Sequence, residues 1–98
     1  MQTVYKKCAN FANVEGRYLR LEDEKQFIQA VSREGFIVIL DIANGDEVHL
    51  PTCGFVKLES FSKKVVENQG STGCYFWCGD YDDALHTFGA RDCTFCMR

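Results

Sequence analysis

The sequence predicts a small α+β domain closed by a zinc knuckle, and three observations lead there. A segment starting at Glu22 places Phe27, Ile28 and Val31 at helical spacing. Phe36–Ile42 is an apolar, β-branched run bounded by turn residues, the pattern of a central strand. His49-Leu50-Pro51-Thr52-Cys53 and Cys93-Thr94-Phe95-Cys96 are two tight turns that each offer a pair of metal ligands.

The chain of 98 residues is read as one domain, 1–98, whose small core gives modest stability. Residues 1–46 form a helix-plus-strand half of no assigned type, and 47–98 a zinc-bearing half. Thr3–Lys7 and Arg17–Leu21 read as strands around a loop at Asn10–Gly16. In the first turn of the next helix, Glu22, Asp23 and Glu24 suit the positive end of the dipole, and Gly35 is its expected stop. Asn44-Gly45 signals a two-residue type I′ hairpin, with the return strand over Glu47–Leu50. Ser60–Asn68 reads as a short helix with Phe61 and Val65 on one side. Cys74–Cys78 reads as a second core strand, and Asp80–Phe88 as a helix with Asp80 as N-cap and Gly89 at C′. The expected architecture is a central antiparallel sheet or hairpin with about three short helices.

Composition narrows function. The net charge is −3, with basic and acidic residues interleaved, which argues against a dedicated duplex-binding domain. No run reaches the roughly eighteen apolar residues of a membrane helix, and no signal-peptide pattern opens the chain. A cytoplasmic protein with no membrane partner is expected. There, six cysteines read as metal ligands, core residues or reactive thiols, not a disulfide framework.

The metal constellation is His49, Cys53, Cys93 and Cys96, a Cys3His set of the kind that forms closed structural zinc sites. A redox C-x-x-C normally opens a helix, whereas this one has almost no chain after it. Cys74 and Cys78, if in a strand, share a face with Phe76 but lie roughly 13 Å apart, too far to share one ion or one disulfide. They read as core cysteines, with Cys78 as the substitute should His49 not be the fourth ligand. Cys8 reads as buried or free.

Other groups read more plainly. His86 is a solvent-facing or satisfied histidine. Asp80, Asp82 and Asp83 could suggest a magnesium site but fit helix capping better. Tyr75 and Trp77 are either a base-stacking platform or a surface covered by a helix. Lys57, Lys63, Lys64, Arg91 and Arg98 are the basic set near the proposed metal, read as a solvated face.

In their order along the chain, His49–Cys53, then Asp82-Asp83-Ala84-Leu85, then Gly89-Ala90-Arg91-Asp92-Cys93-Thr94-Phe95-Cys96 resemble the N-terminal zinc domain of the Ada methylphosphotriester repair family, over roughly residues 47–98. That family has C-x3-C with a proline inside, an Ala-Leu helix, a glycine, and Arg-Pro-Cys-x-x-Cys. The resemblance implies a zinc-knuckle architecture and an association with nucleic acid. It does not imply methyl transfer, because His49 stands where the family has its nucleophilic cysteine. Asp92 also replaces the proline, Phe95 replaces a basic residue, and the spacing between pairs is longer. No phosphate loop, nucleophile–base pair or H-E-x-x-H is present, so catalysis is not expected. Three expectations remain: a zinc-stabilised protein-interaction module serving a nucleic-acid-processing system, a module that binds nucleic acid directly, and, behind both, an enzyme such as a nuclease or thiol transferase.

Overall fold

A computed structural model of the chain describes residues 6–9, 11, 13–43 and 45–96. It is an α+β fold built on one five-stranded mixed sheet in the order β1-β4-β2-β3-β5. The strands are β1 Tyr18–Leu21, β2 Phe36–Asp41, β3 Glu47–His49, β4 Gly73–Cys78 and β5 Arg91–Asp92. Neighbours are antiparallel except β3 and β5, which run parallel. Strand β4 inserts between β1 and β2, so the sheet interleaves both halves of the sequence.

Helices cover both faces, which explains why β2 as far as Leu40 and all of β4 are apolar rather than alternating. On one face Val38, Leu40, Phe76 and Cys78 pack with Phe88. This face is covered by α1, Lys6–Ala9, and α4, Asp83–Thr87. On the other, Ile37, Ile39, Tyr75 and Trp77 pack beneath Phe27 and Ala30 of α2, Glu24–Val31, and Phe61 of α3, Leu58–Phe61. Helix α3 continues as a π-helical stretch over Ser62–Glu67, and α4 is also π-helical. The amides of Asn68 and Phe88 accordingly reach back five residues, to Lys63 and Asp83.

Several expectations are corrected here. Lys6 and Lys7 are helical, not strand, and the remainder of the expected Thr3–Lys7 strand lies outside the described residues. Helix α2 starts later, with Asp23 as N-cap accepting from the Gln26 amide at 2.8 Å. It ends at Ser32, before Gly35. Gly35 has a different use: its φ is +131°, and a Cβ there would lie 2.6 Å from Nε1 of Trp77, which donates to the Glu34 carbonyl at 3.0 Å. The β2–β3 register pairs Ile39 with Glu47, and the Gly45 amide reaches the Asp41 carbonyl at 2.9 Å. That is a longer connection than a two-residue turn, and Asn44 lies outside the described residues. The parallel strand β5 and helix α1 were not foreseen.

The largest departure concerns cysteine. Cys8 and Cys74 form a disulfide across 66 residues, tying α1 to β4. Both are buried, as expected, but they are not free thiols. Cys78 is buried and free. Tyr75 and Trp77 are no stacking platform: Trp77 is 4% exposed, beneath α2, with the Arg33 guanidinium 3.8 Å from its ring centroid. Among the described residues, no helix is long and apolar enough to cross a membrane.

Candidate metal centre

The two ligand pairs meet because β3 and β5 run side by side. Val48 is in register with Asp92, so the next residues, His49 and Cys93, fall on the same sheet face at the ends of parallel strands. Past β3, Pro51 starts a turn in which the Cys53 amide bonds the Leu50 carbonyl at 2.9 Å, folding Cys53 back toward His49. Past β5, the knuckle folds Cys96 over Cys93, and the Leu50 amide donates to the Cys96 sulfur at 3.3 Å.

The result gathers all four predicted ligands. Their ligand atoms lie within 4.8 Å of one another, and no other His, Cys, Asp and Glu grouping of this kind occurs among the described residues. The Cys53 and Cys93 sulfurs are 3.9 Å apart and unbonded. A tetrahedral ion with metal–sulfur bonds of about 2.3 Å has sulfur–sulfur edges of about 3.8 Å. His49 is 2% exposed, and its Nδ1 is buried without a hydrogen-bond partner. Its Nε2 faces the Glu47 carboxylate at 3.7 Å. An orphaned nitrogen beside three gathered sulfurs fits a metal ligand, since a buried polar atom left unpaired costs about 1–3 kcal/mol.

Electrostatics agree with the geometry. Burial pushes the His49 imidazole below its ordinary range against the pull of Glu47, which keeps it neutral, the form that ligates. Burial raises the Cys93 thiol, but the amides of Cys96 and Phe95 donate to its sulfur and bring it below its ordinary value. For Cys96, burial and the neighbouring thiols outweigh the Leu50 amide and push it up to about 12. Packed sulfurs resist ionising together without a cation among them.

The remaining candidates fall elsewhere. Cys78 is on the opposite face, its sulfur donating to the Asp80 carbonyl at 3.1 Å, so it cannot replace His49. Asp80 caps the turn into α4 through the Asp82 amide at 2.9 Å, and Asp83 pairs with Arg17, leaving no magnesium cluster. His86 is exposed. Lys64 pairs with Asp41, Lys57, Lys63 and Arg91 are exposed, and Arg98 lies outside the described residues.

Sequence reasoning missed Glu47 as the partner of Nε2, although its place two residues before His49 on one strand face was legible. It also missed a cleft of about 490 Å³ beside the centre, with His49 and Cys93 in its wall. Tyr75 opens on the cleft, and burial followed by the Asp41 charge pushes its hydroxyl up to about 12. No protein-family model, curated protein or solved structure matches the chain.

Proposed function

We propose that this protein is a non-catalytic, zinc-stabilised interaction module whose protein partner belongs to a nucleic-acid-processing system. The gathered His49, Cys53, Cys93 and Cys96 set carries the reading. Three thiolates and one imidazole in tetrahedral reach suit zinc. With four protein ligands no coordination position is left for a substrate, so the metal is structural.

The knuckles also display apolar surface. Phe55, two residues after Cys53, and Phe95, inside the second knuckle, are 57% and 59% exposed. Their rings stack edge-on at 5.1 Å, so a metal that holds both turns would hold this pair. Exposed aromatics on a rigid support are what a partner-binding surface offers. The Ada-like order of motif elements over 47–98 supplies the link to nucleic acid. Direct binding, with the Phe55–Phe95 pair stacking on bases, is the second reading; the net charge of −3 weighs against it. A cytoplasmic setting belongs to the proposal, because free zinc thiolates persist where thiols stay reduced. The Cys8–Cys74 bond points the other way.

The test is affinity capture from host extract with wild type and a Phe55→Ser/Phe95→Ser variant, with and without nuclease. A partner kept after nuclease and lost with the variant supports the interaction reading. Capture lost on nuclease treatment alone supports direct binding. Metal analysis of the purified protein tests zinc itself.

A further inference from the structure

The four gathered ligands are unequally protected. His49, Cys53 and Cys93 are buried, and Cys96 alone of the four is not. A thiol held by a metal is already deprotonated, and the thiolate is the form that oxidants meet. Susceptibility to oxidation follows thiolate character and exposure, so Cys96 is the sulfur an oxidant reaches first. A second sulfur is close by. The ligand atoms of Cys93 and Cys96 lie within 4.8 Å of each other, as do all pairs in the set. The amides of Phe95 and Cys96 both donate to the Cys93 sulfur, so the second knuckle is wrapped around the atom Cys96 has to meet.

The rest of the chain carries the other half of the argument. Cys8 and Cys74 are joined as a disulfide, whereas Cys53, Cys93 and Cys96 are free. A disulfide forms and persists where oxidant is available, so the thiols of the same chain meet that oxidant too. We infer that the metal centre is a peroxide-sensitive redox switch, with Cys96 as the reacting thiolate and Cys93 as the one that resolves it. The inference rests on the metal reading above. The Cys96 sulfur attacks a peroxide oxygen: an S–O bond forms, the O–O bond breaks, and the departing oxygen takes a proton. The Cys93 thiolate then attacks the sulfenic sulfur: an S–S bond forms, the S–O bond breaks, and hydroxide leaves as water after taking a second proton. Each sulfur gives up one electron, and the peroxide takes both. Left with only His49 and Cys53, the ion is released. The two-residue β3–β5 ladder then loses its support, and the Phe55–Phe95 pair comes apart. Oxidation therefore removes the surface offered to the partner.

The test treats zinc-loaded protein with hydrogen peroxide. A chromophoric chelator follows the released zinc, and non-reducing peptide mass mapping follows the cysteines. Zinc release matched by a Cys93–Cys96 disulfide is expected, with Cys8–Cys74 and the buried Cys78 thiol unchanged. Cys96→His keeps four ligands of kinds that zinc accepts but removes the open thiolate, so release should slow by about tenfold or more. Cys53→His leaves the reacting pair in place and should release zinc at the wild-type rate. Mapping of the wild type identifies the reacting pair whatever the metal content of the variants. Zinc retained under peroxide, sulfinic acid on Cys96 without a disulfide, a disulfide through Cys53, or equal release from wild type and Cys96→His would overturn the switch. Protein that holds no zinc before peroxide is added would instead defeat the metal reading, and this inference with it.

Discussion

The backbone amide of Cys93 donates to the carbonyl of Val48 at 3.0 Å, and this bond joins the two halves of the candidate metal centre. It belongs to the parallel β3–β5 ladder, in which the Arg91 amide also donates to the Asp46 carbonyl at 2.9 Å. The ladder is two residues deep, too short to hold the second knuckle by itself. Ligands beyond its end would complete it. On this view the metal and the last strand depend on each other.

That dependence gives the first prediction. Structural zinc contributes roughly 10–16 kcal/mol in small zinc peptides, as much as a whole domain's stability. Protein purified without chelator should carry one zinc per chain. Cys96→Ser, or excess chelator, should abolish cooperative melting and expose amides of β5 to hydrogen exchange first. An unchanged melting temperature after confirmed metal loss would refute it.

The second prediction separates two cysteines that look alike in sequence. Cys78 lies on the opposite sheet face from His49, with burial raising its thiol. Cys78→Ala should leave zinc stoichiometry unchanged, whereas His49→Ala should reduce it. Elemental analysis of the two purified variants decides, and metal loss in the first would sink the assignment.

The ligand set was legible because each pair is local: a spacing of three or four residues states what one turn can do. The strands over Phe36–Asp41 and Gly73–Cys78 were legible because a run of β-branched and aromatic residues suits a pleated, buried surface. Strand β5 was not, because Arg91 and Asp92 carry no strand pattern and pair only through their backbones. The Cys8–Cys74 bond was not, because its partners are 66 residues apart and a lone cysteine inside a four-residue helix says nothing about connectivity. The five-residue hydrogen-bond steps after Ser62 and Asp83 were equally hidden, since a short π-helical turn shares the apolar spacing of an α-helix closely enough.

The third prediction concerns that disulfide. Closing a loop of 66 residues restricts the unfolded chain by about 4 kcal/mol on the loop-entropy account. At constant metal content, a Cys8→Ala/Cys74→Ala variant should unfold at lower urea concentration, with a similar slope. Added reductant should lower the wild-type midpoint toward the variant's and leave the variant's own unchanged. Equal midpoints with and without the bond would contradict the expectation.

The fourth prediction is a pH dependence. The Arg17 guanidinium donates to Asp83 through Nε and Nη2 and holds its carboxyl below the ordinary value of 3.8, against desolvation. The folded form therefore binds its proton less readily than the unfolded one. The resulting stability is complete above the unfolded value and is lost as pH falls through the folded one. Melting followed from about pH 5 down to about pH 2 should show this decline in wild type. Arg17→Met should flatten it, and parallel curves for the two proteins would count against the pair.

The last prediction asks whether Glu47 sets the working nitrogen of His49. The imidazole has two nitrogens, and in the structure they face different partners. Nε2 is 3.7 Å from the Glu47 carboxylate, and Nδ1 is buried and unpaired among the gathered ligands. A carboxylate favours the tautomer with its proton on the nearer nitrogen, which leaves the lone pair of Nδ1 for the metal. It also makes the ring a stronger ligand, because the proton it faces carries positive charge once the metal draws electrons from the ring. Glutamine keeps the size of Glu47 but removes that charge. Glu47→Gln should therefore lower zinc affinity by about ten- to a hundredfold while leaving the fold of the loaded protein intact. Competition against a chromophoric chelator measures it, and circular dichroism of the loaded variant guards against a trivial loss. Equal affinities would mean that packing alone orients His49.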